Sequence, residues 1–513
     1  MEVWEIYAAA VSEYQAKNFD AALKLLAEIK KVAPGYRKAY LLESYIWHER
    51  CNFVKEYNAL AEFFPLCDLS DPAQESLASH ALTLFARVCR ELGANEEAVK
   101  LCVLSADRFE ELRPGACGEL NNAIFAAALV ENFSAEDFQK LYATYRKYMS
   151  DITTHPKKSY AHEKIRVGFL SADFRLHPVM KWAWALVRGL DKKFFKTCCY
   201  SSVAIPEAVT ERIKANADIW RDISKHDDAA AAKLIRDDEI DILFDLSGHT
   251  EGNRLRVAAY RPATVQISGI GFVTSTGLDC FDYFLTDETC AGDESYFTEK
   301  LLRLPSSHIC FEPSKTLEIS QAPCIRNGYV TFGCFNQYCK ITDSILSTWK
   351  KILDAVPDSR LILKNILQNT DDGKNFVGNR LKDFGIDVSR VELRSFTVEY
   401  LHEYGDIDIA LDTFPYTGGI TTCEALYMGV PVVSLYGDRM GSRVGYSILK
   451  NIGLEELAVN SYDDYINIAV ALANDWELLK MLRQTLRGMM IKSPLMNSKN
   501  YLREIEAAFK KIL

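Results

Sequence analysis

Through roughly the first 150 residues, apolar side chains return every three or four positions and β-branched runs are scarce, a pattern that predicts packed helices. Ala8, Tyr14, Phe19, Ala22 and Pro34 fall at the small, aromatic and proline positions of a two-helix repeat with a period of about 34 residues. Weaker pairs follow over residues 39–69 and 81–109, the latter with Gly93, Ala94 and Ala98 near its turn. So short an array offers a concave surface to a peptide or partner chain, or it buttresses the part that follows; both readings stand. After a polar stretch over residues 151–163 the pattern changes. IRVGFLS (165–171), residues 197–201 and ILFDL (242–246) are apolar without alternation, as parallel strands buried on both faces are. A second series of strands and helices begins near Gly328, with GYVTFGCF, SRLILK, RVELRS, DIALDT and VPVVSL as its strands. The expected organisation is a helical region over residues 1–155, then two doubly wound, Rossmann-like α/β domains over 160–322 and 325–513 with a ligand cleft between them.

One stretch of the second series carries chemistry. In DIDIALDTFPYTGGITTCEALYMGVPVVS (406–434), Ile407, Ile409 and Leu411 make a buried strand, residues 416–422 a Gly/Thr turn, and a helix starts at Thr421 or Thr422. Glycines such as Gly418 and Gly419 let backbone approach a ligand closely. Amides and dipole at a helix start favour a diphosphate, to which threonine hydroxyls add donors. Glu424, read as lying in the first turn, suits a ribose hydroxyl. An ordinary strand-turn-helix has the same outline. Upstream, YVTFGCFNQYCK (329–340) reads as a strand ending in a polar loop with Asn336, Gln337 and Lys340, then a helix over about 342–356 with Leu346, Trp349, Ile352 and Leu353 on one face. A lysine at the carboxyl end of a parallel strand points into the crevice where open α/β sheets bind ligands, and there it neutralises a departing diphosphate. A surface lysine capping a loop is the alternative, which the pairing with the later turn outweighs.

Composition narrows the partners. The 513 residues suffice for about three domains with their own cores. A net charge of -10 argues against a nucleic-acid partner and leaves room only for a local basic pocket. The 14 cysteines lack paired CxxC spacing, and adjacent Cys198 and Cys199 sit in a predicted strand, so they read as reduced, buried, small apolar side chains. No segment approaches the roughly 18 apolar residues of a membrane span, and the acidic amphipathic start MEVWEIYAAAVSEYQ has no basic leader region. A cytoplasmic protein is expected.

FNQYCKI, SRLILK, DIALDTFPYTGGITTCEALYMGVPVV and SRVGYSILKNIGLEEL closely resemble glycosyltransferase family 41, the O-linked N-acetylglucosamine transferases and SPINDLY proteins. SADFRLHP (171–178), DLSGHTEGNR (245–254), RPATVQ (261–266), Asp282-Tyr283 and SPLMNSKNYLREIEAAF match in the same order, so the resemblance runs collinearly over residues 164–513. It implies a GT-B fold and a tetratricopeptide-like amino-terminal region that presents an acceptor polypeptide. The implied activity is inverting, metal-independent transfer of N-acetylglucosamine from UDP-N-acetylglucosamine to serine or threonine hydroxyls of proteins, with no cofactor beyond the nucleotide sugar. A protein O-fucosyltransferase using GDP-fucose is one alternative. A non-catalytic repeat adaptor that binds a nucleotide sugar is the other.

By this resemblance Gln337, Lys340 and the turn Gly418, Gly419, Ile420, Thr421 and Thr422 hold the donor with Glu424. The choice of base is expected to fall to the segment after RVELRS, including Ser395 and Thr397, where backbone groups meet the base edge. His177 precedes Pro178 directly after a strand and lies beside sugar and acceptor, a candidate general base or hydrogen-bonding positioner that titrates near neutral pH. His249 either lines the cleft or shapes a tight loop. Where relatives carry Trp-Leu-Gly-Tyr-Pro-Gly-Thr-Thr-Gly, this chain has GIGFVTSTG (269–277), with Thr274 and Ser275 as acceptor-side candidates. Tyr400 stands where the family usually has histidine, and Ile420 replaces a threonine or histidine. Since the diphosphate groups all follow Gly328, donor binding is expected to persist in a chain cut back to residues 164–513.

Overall fold

A computed structural model of the chain describes residues 2–67, 72–108 and 113–513. They form two compact units, one of Met1–Ala127, Phe335–Lys350 and Leu361–Val398, the other of Ala128–Cys334, Lys351–Arg360 and Glu399–Leu513. Strands are numbered in chain order: β1 (Ile165–Ser171), β2 (Phe195–Ser201), β3 (Ile219–Asp222), β4 (Ile242–Asp245), β5 (Val265–Ser268), β6 (Tyr283–Asp287), β7 (Lys300–Leu304), β8 (Thr331–Cys334), β9 (Arg360–Asn365), β10 (Val391–Ser395), β11 (Ile409–Leu411), β12 (Val432–Leu435) and β13 (Ala458–Val459).

In the larger unit β1 to β7 form one parallel sheet in the order β3-β2-β1-β4-β5-β6-β7. Val167 of β1 faces Thr197 of β2 on one side and Ile242 of β4 on the other. The chain leaves β1 outward through β2 and β3, then returns to β4 on the opposite flank. The loops after β1 and β4 therefore border the point where strand order reverses, which is where open α/β sheets bind ligands. Phe169, Phe244 and Ile267 fill the sheet's core, and the last helix, Ser498–Ile512, adds Tyr501, Ile505 and Phe509. The Phe509 ring meets those of Phe195 and Phe244 at 6.4 and 6.3 Å. Also in this unit, β8, β11, β12 and β13 run parallel side by side.

The smaller unit pairs Val3–Gln15 with Phe19–Val32, Arg37–Glu49 with Phe53–Phe63 and Pro72–Glu91 with Asn95–Arg108. The first two pairs start 34 residues apart, at Val3 and Arg37. Buried Ala10, Ala22 and Ala39 let these helices approach closely, and Ile6, Leu26, Ile29, Leu42 and Ile46 fill the space around them. Leu69 and Phe109, read as the ends of the second and third pairs, lie outside the described residues. β9 and β10 of this unit pair in parallel.

Strands with continuous apolar runs, such as β4, β8 and β12, are buried along their length. β3, β5, β6, β7 and β13 were not foreseen. β3 and β7 are edge strands with half-exposed positions, and β13 is two residues long, so these three had no apolar run to find. Among the described residues no helix is long and apolar enough to cross a membrane.

Candidate functional site

The loop after β1 carries Asp173 and His177. The buried Asp173 carboxylate lies 3.7 Å from His177 Nδ1 and 3.3 Å from the Arg175 guanidinium. The Val179 N–H donates to His177 Nδ1 at 3.4 Å, which puts the proton of the neutral ring on Nε2. Burial holds the imidazole below its ordinary pKa against the pull of Asp173, and Arg175 adds to the lowering. His177 is thus a neutral Nε2–H donor near pH 7. To act as a base through Nε2 it must carry its proton on Nδ1, and Asp173 is the carboxylate placed to receive that N–H.

The loop after β4 begins from the same topological point and ends differently. Asp245 is fully buried and accepts from Ser247 N, Gly248 N and Ser268 Oγ at 3.2, 2.8 and 2.7 Å; burial still pushes its carboxyl up to about 6. His249 packs edge-on against Tyr145 and Phe272 and donates from Nε2 to the Ser275 carbonyl at 3.1 Å. Burial lowers it to about 4, so it is a neutral ring that shapes the loop. Ser275 is also fully buried, donating to Glu299 Oε2 at 2.6 Å. Thr274 is half-buried and lines a small pocket with Tyr142, Tyr296 and Arg439.

The Gly/Thr turn is wired into its own surroundings. Asp412, the residue after β11, accepts from Thr413 N at 2.9 Å, Gly418 N at 2.7 Å and Ser434 Oγ at 2.7 Å. A β-carbon on Gly418 would lie 2.5 Å from Thr422 Oγ1 and 2.7 Å from Thr421 Oγ1, so glycine is required by close approach. The helix runs Ile420–Tyr427 with Gly419 as N-cap and no side-chain cap, one residue earlier than expected. Glu424 therefore falls beyond its first turn, a correction to the sequence reading. Its buried carboxylate is held by the Lys181 ammonium and, at 2.5 Å, by the Tyr400 hydroxyl. The Trp182 indole rests on the turn, since a β-carbon on Gly419 would lie 2.4 Å from Trp182 Cη2. Lys181 and Trp182 belong to the helix Met180–Gly189 that follows His177, so this helix joins the histidine loop to the turn.

In the smaller unit Lys340 ends a one-turn helix, Tyr338–Lys340, capped by the exposed Gln337. Asn95 Nδ2, from the third helix pair, donates to the Cys339 carbonyl at 2.8 Å. Arg380 donates to Tyr338 Oη and to the Ile341 carbonyl, both at 3.0 Å. The expectation that donor binding survives loss of the repeats meets a physical obstacle here, because those helices support the Lys340 turn directly. Ser395 spends its hydroxyl on the Gln368 carbonyl at 2.9 Å, and its own carbonyl accepts from Lys364. Thr397 is exposed.

Sequence reasoning missed Asp173, Asp412, Lys181, Trp182 and Asn95. The first two were within reach: each is a carboxylate beside a strand's end, inside a quoted motif. Lys181 and Trp182 carry no local signal. Asn95 acts across 244 residues.

The chain resembles known proteins over most of its length. The SPINDLY protein of Petunia hybrida, a probable UDP-N-acetylglucosamine-peptide N-acetylglucosaminyltransferase, is 36% identical over 383 residues, covering 73% of this chain and 40% of its own. The SEC protein of Arabidopsis thaliana, described in the same terms, is 28% identical over 380 residues, 70% of this chain and 38% of its own. This chain thus spans about two-fifths of the length of such relatives. A solved O-GlcNAc transferase mutant of Thermobaculum terrenum superposes with a TM-score of 0.85 at 29% identity, covering 99% of this chain and 97% of that one. With a helical region followed by two Rossmann-like parallel-sheet parts, the fold is GT-B. Glycosyl transferase family 41 matches residues 143–318 and 319–505, the stretches that hold the His177 loop, the Lys340 turn and the Gly/Thr turn, and the chain belongs to that family.

Proposed function

We propose that this chain is an inverting, metal-independent glycosyltransferase that moves N-acetylglucosamine from UDP-N-acetylglucosamine to serine or threonine hydroxyls of a polypeptide. The likeness to an O-GlcNAc transferase across 99% of the chain carries this reading. In the proposed reaction the acceptor oxygen attacks the anomeric carbon opposite the diphosphate, the bond from that carbon to the diphosphate oxygen breaks with its electrons leaving on UDP, and the hydroxyl proton departs to a base. Lys340 and the amides at the start of Ile420–Tyr427 supply the charge stabilisation, with the Asp412 hydrogen bonds keeping the turn preorganised. Gln337 and Glu424 complete the donor contacts, with Glu424 toward the ribose, and backbone groups of the segment that includes Ser395 and Thr397 meet the base edge. His177 orients the acceptor or takes its proton, and Thr274 faces the acceptor side.

All fourteen cysteines are free, which suits a reducing, cytoplasmic setting. Activity is expected to survive excess EDTA, because lysine and amides fill the place of a cation; loss of turnover restored by magnesium would refute the metal-free part. The main test incubates the full chain and a polypeptide acceptor with UDP-N-acetylglucosamine or GDP-fucose. An N-acetylhexosamine mass increment on serine or threonine is the expected result. A deoxyhexose increment from GDP-fucose alone would reassign the donor, and UDP binding without transfer to any acceptor would make the chain an adaptor.

A further inference from the structure

We infer that Asn95 is a positioning residue for Lys340, so that the helical region belongs to the donor site and does not serve acceptors alone. The inference rests on the proposed role of Lys340 at the diphosphate. The turns inside the three helix pairs bend through left-handed residues, Lys17 (φ 62°), Cys51 (φ 52°) and Gly93 (φ 83°), each followed by an asparagine one or two positions on. The three asparagines are used differently. Asn18 Nδ2 stays within its pair, donating to Glu13 Oε2 at 2.9 Å. Asn52 Nδ2 donates to Asp372 Oδ2 at 2.7 Å, at the start of helix Asp371–Asp383. Asn95 reaches furthest into function, since its acceptor is the carbonyl of Cys339, one residue before Lys340.

The Tyr338–Lys340 turn is too short to hold itself. It is closed by Lys340 N to Gln337 O at 3.1 Å and Ile341 N to Tyr338 O at 2.9 Å, and a single 3₁₀ turn has little stability of its own. Its shape is set from outside. Arg380 grips one side through Tyr338, Ile341 and Asp343, the last at 2.7 Å. Asn95 grips the other, and Gly93 seats the Tyr338 ring, whose Cε1 would lie 3.6 Å from a β-carbon there. Without Asn95 the buried Cys339 carbonyl loses this amide donor, and the backbone that carries Lys340 loses one of its supports.

The test is a double-mutant cycle on UDP affinity, measured by calorimetry on the full chain: wild type, Asn95→Ala, Lys340→Ala and the double variant. Asn95→Ala is expected to weaken UDP binding by about tenfold, as loss of a supporting partner does at other sites, while the acceptor KM stays unchanged. In the Lys340→Ala background the same change should add nothing. Asn95→Asp, similar in size but without the donor, should behave like Asn95→Ala, and stands in for it if that variant does not fold. Asn95→Ser, with a short donor, should recover part of the affinity. If Lys340→Ala leaves UDP affinity unchanged, the reading of Lys340 itself fails. If Lys340→Ala weakens binding but Asn95→Ala does not, or if the two effects multiply, the inference about Asn95 is overturned.

Discussion

The two stretches proposed to hold the donor diphosphate are built in opposite ways. Residues 412–422 are held by their own bonds and by nearby segments of the same unit: Asp412 gathers Thr413, Gly418 and Ser434, Thr417 bonds the Gly441 carbonyl at 3.1 Å, and Tyr465 bonds the Asp412 carbonyl at 2.9 Å. The Tyr338–Lys340 turn borrows its shape from Asn95 in the helical region and from Arg380. One half of the proposed site is preorganised without the helical region, the other in part by it, through Asn95. Damage to the repeats should therefore reach the donor through Lys340 and spare the Gly/Thr turn.

The largest expected effect comes from removing the borrowed half's charge. Lys340→Ala should lower kcat by about 10²–10³-fold with little change in Tm, as loss of one group stabilising transition-state charge does elsewhere. A variant with near-normal turnover would leave the Gly/Thr turn as the whole of the phosphate site.

A similar contrast separates His177 from His249, and pH exposes it. His249 has its pKa lowered from 6.5 to about 4 by burial, so the unfolded chain binds the proton more tightly than the folded one. The sign is fixed: its contribution is fully present above pH 6.5 and is lost as pH falls toward 4. The loss amounts to about 3 kcal/mol at 1.36 kcal/mol per pH unit. Melting curves of wild type and His249→Gln between pH 7 and 4.5 should converge as the pH falls, because only the wild type carries this penalty. His177→Gln should lower turnover, as the proposed acceptor-side role requires, and because burial lowers this ring's pKa as well, its melting should also approach that of the wild type as the pH falls.

Gly418→Ala strikes the self-supported half. The added methyl meets two threonine hydroxyls, so the turn must open at about 1–3 kcal/mol, an overpacking cost, and UDP affinity should fall with Tm. Lost stability with intact affinity would place the ligand away from this turn. The smallest effect is expected from Asn52→Ala. Asn52 caps its helix by accepting from Lys55 N at 3.2 Å, so the change should cost about 1 kcal/mol and leave UDP affinity alone, in contrast with Asn95→Ala.

How much of this was legible follows from where the supports lie in the chain. The Gly/Thr turn was visible because its glycines and threonines sit within seven residues, 416–422, and the strands bounding it are apolar runs; Asp412, which ties it together, was not picked out. β3 was hidden because its four residues are half-exposed or exposed, and β13 because it is two residues long. Glu424 was placed in the first turn because the helix was expected to start at a threonine, and the start at Ile420 behind Gly419 carries it just past that turn. His249 carried two readings in the sequence, because a histidine's charge and packing are set by neighbours distant in the chain, here Tyr145 and Phe272. Asn95 lies 244 residues from its partner, and no spacing rule connects them.

The central claim is that both stretches serve one diphosphate, one held by its own domain and one by the helices. Amide hydrogen exchange of the full chain with and without UDP tests it most directly. Residues 338–341 and 412–424 should both slow on adding UDP to the wild type, and in Asn95→Ala only 412–424 should slow. Protection confined to one stretch in the wild type, or equal protection of both in Asn95→Ala, would contradict the account.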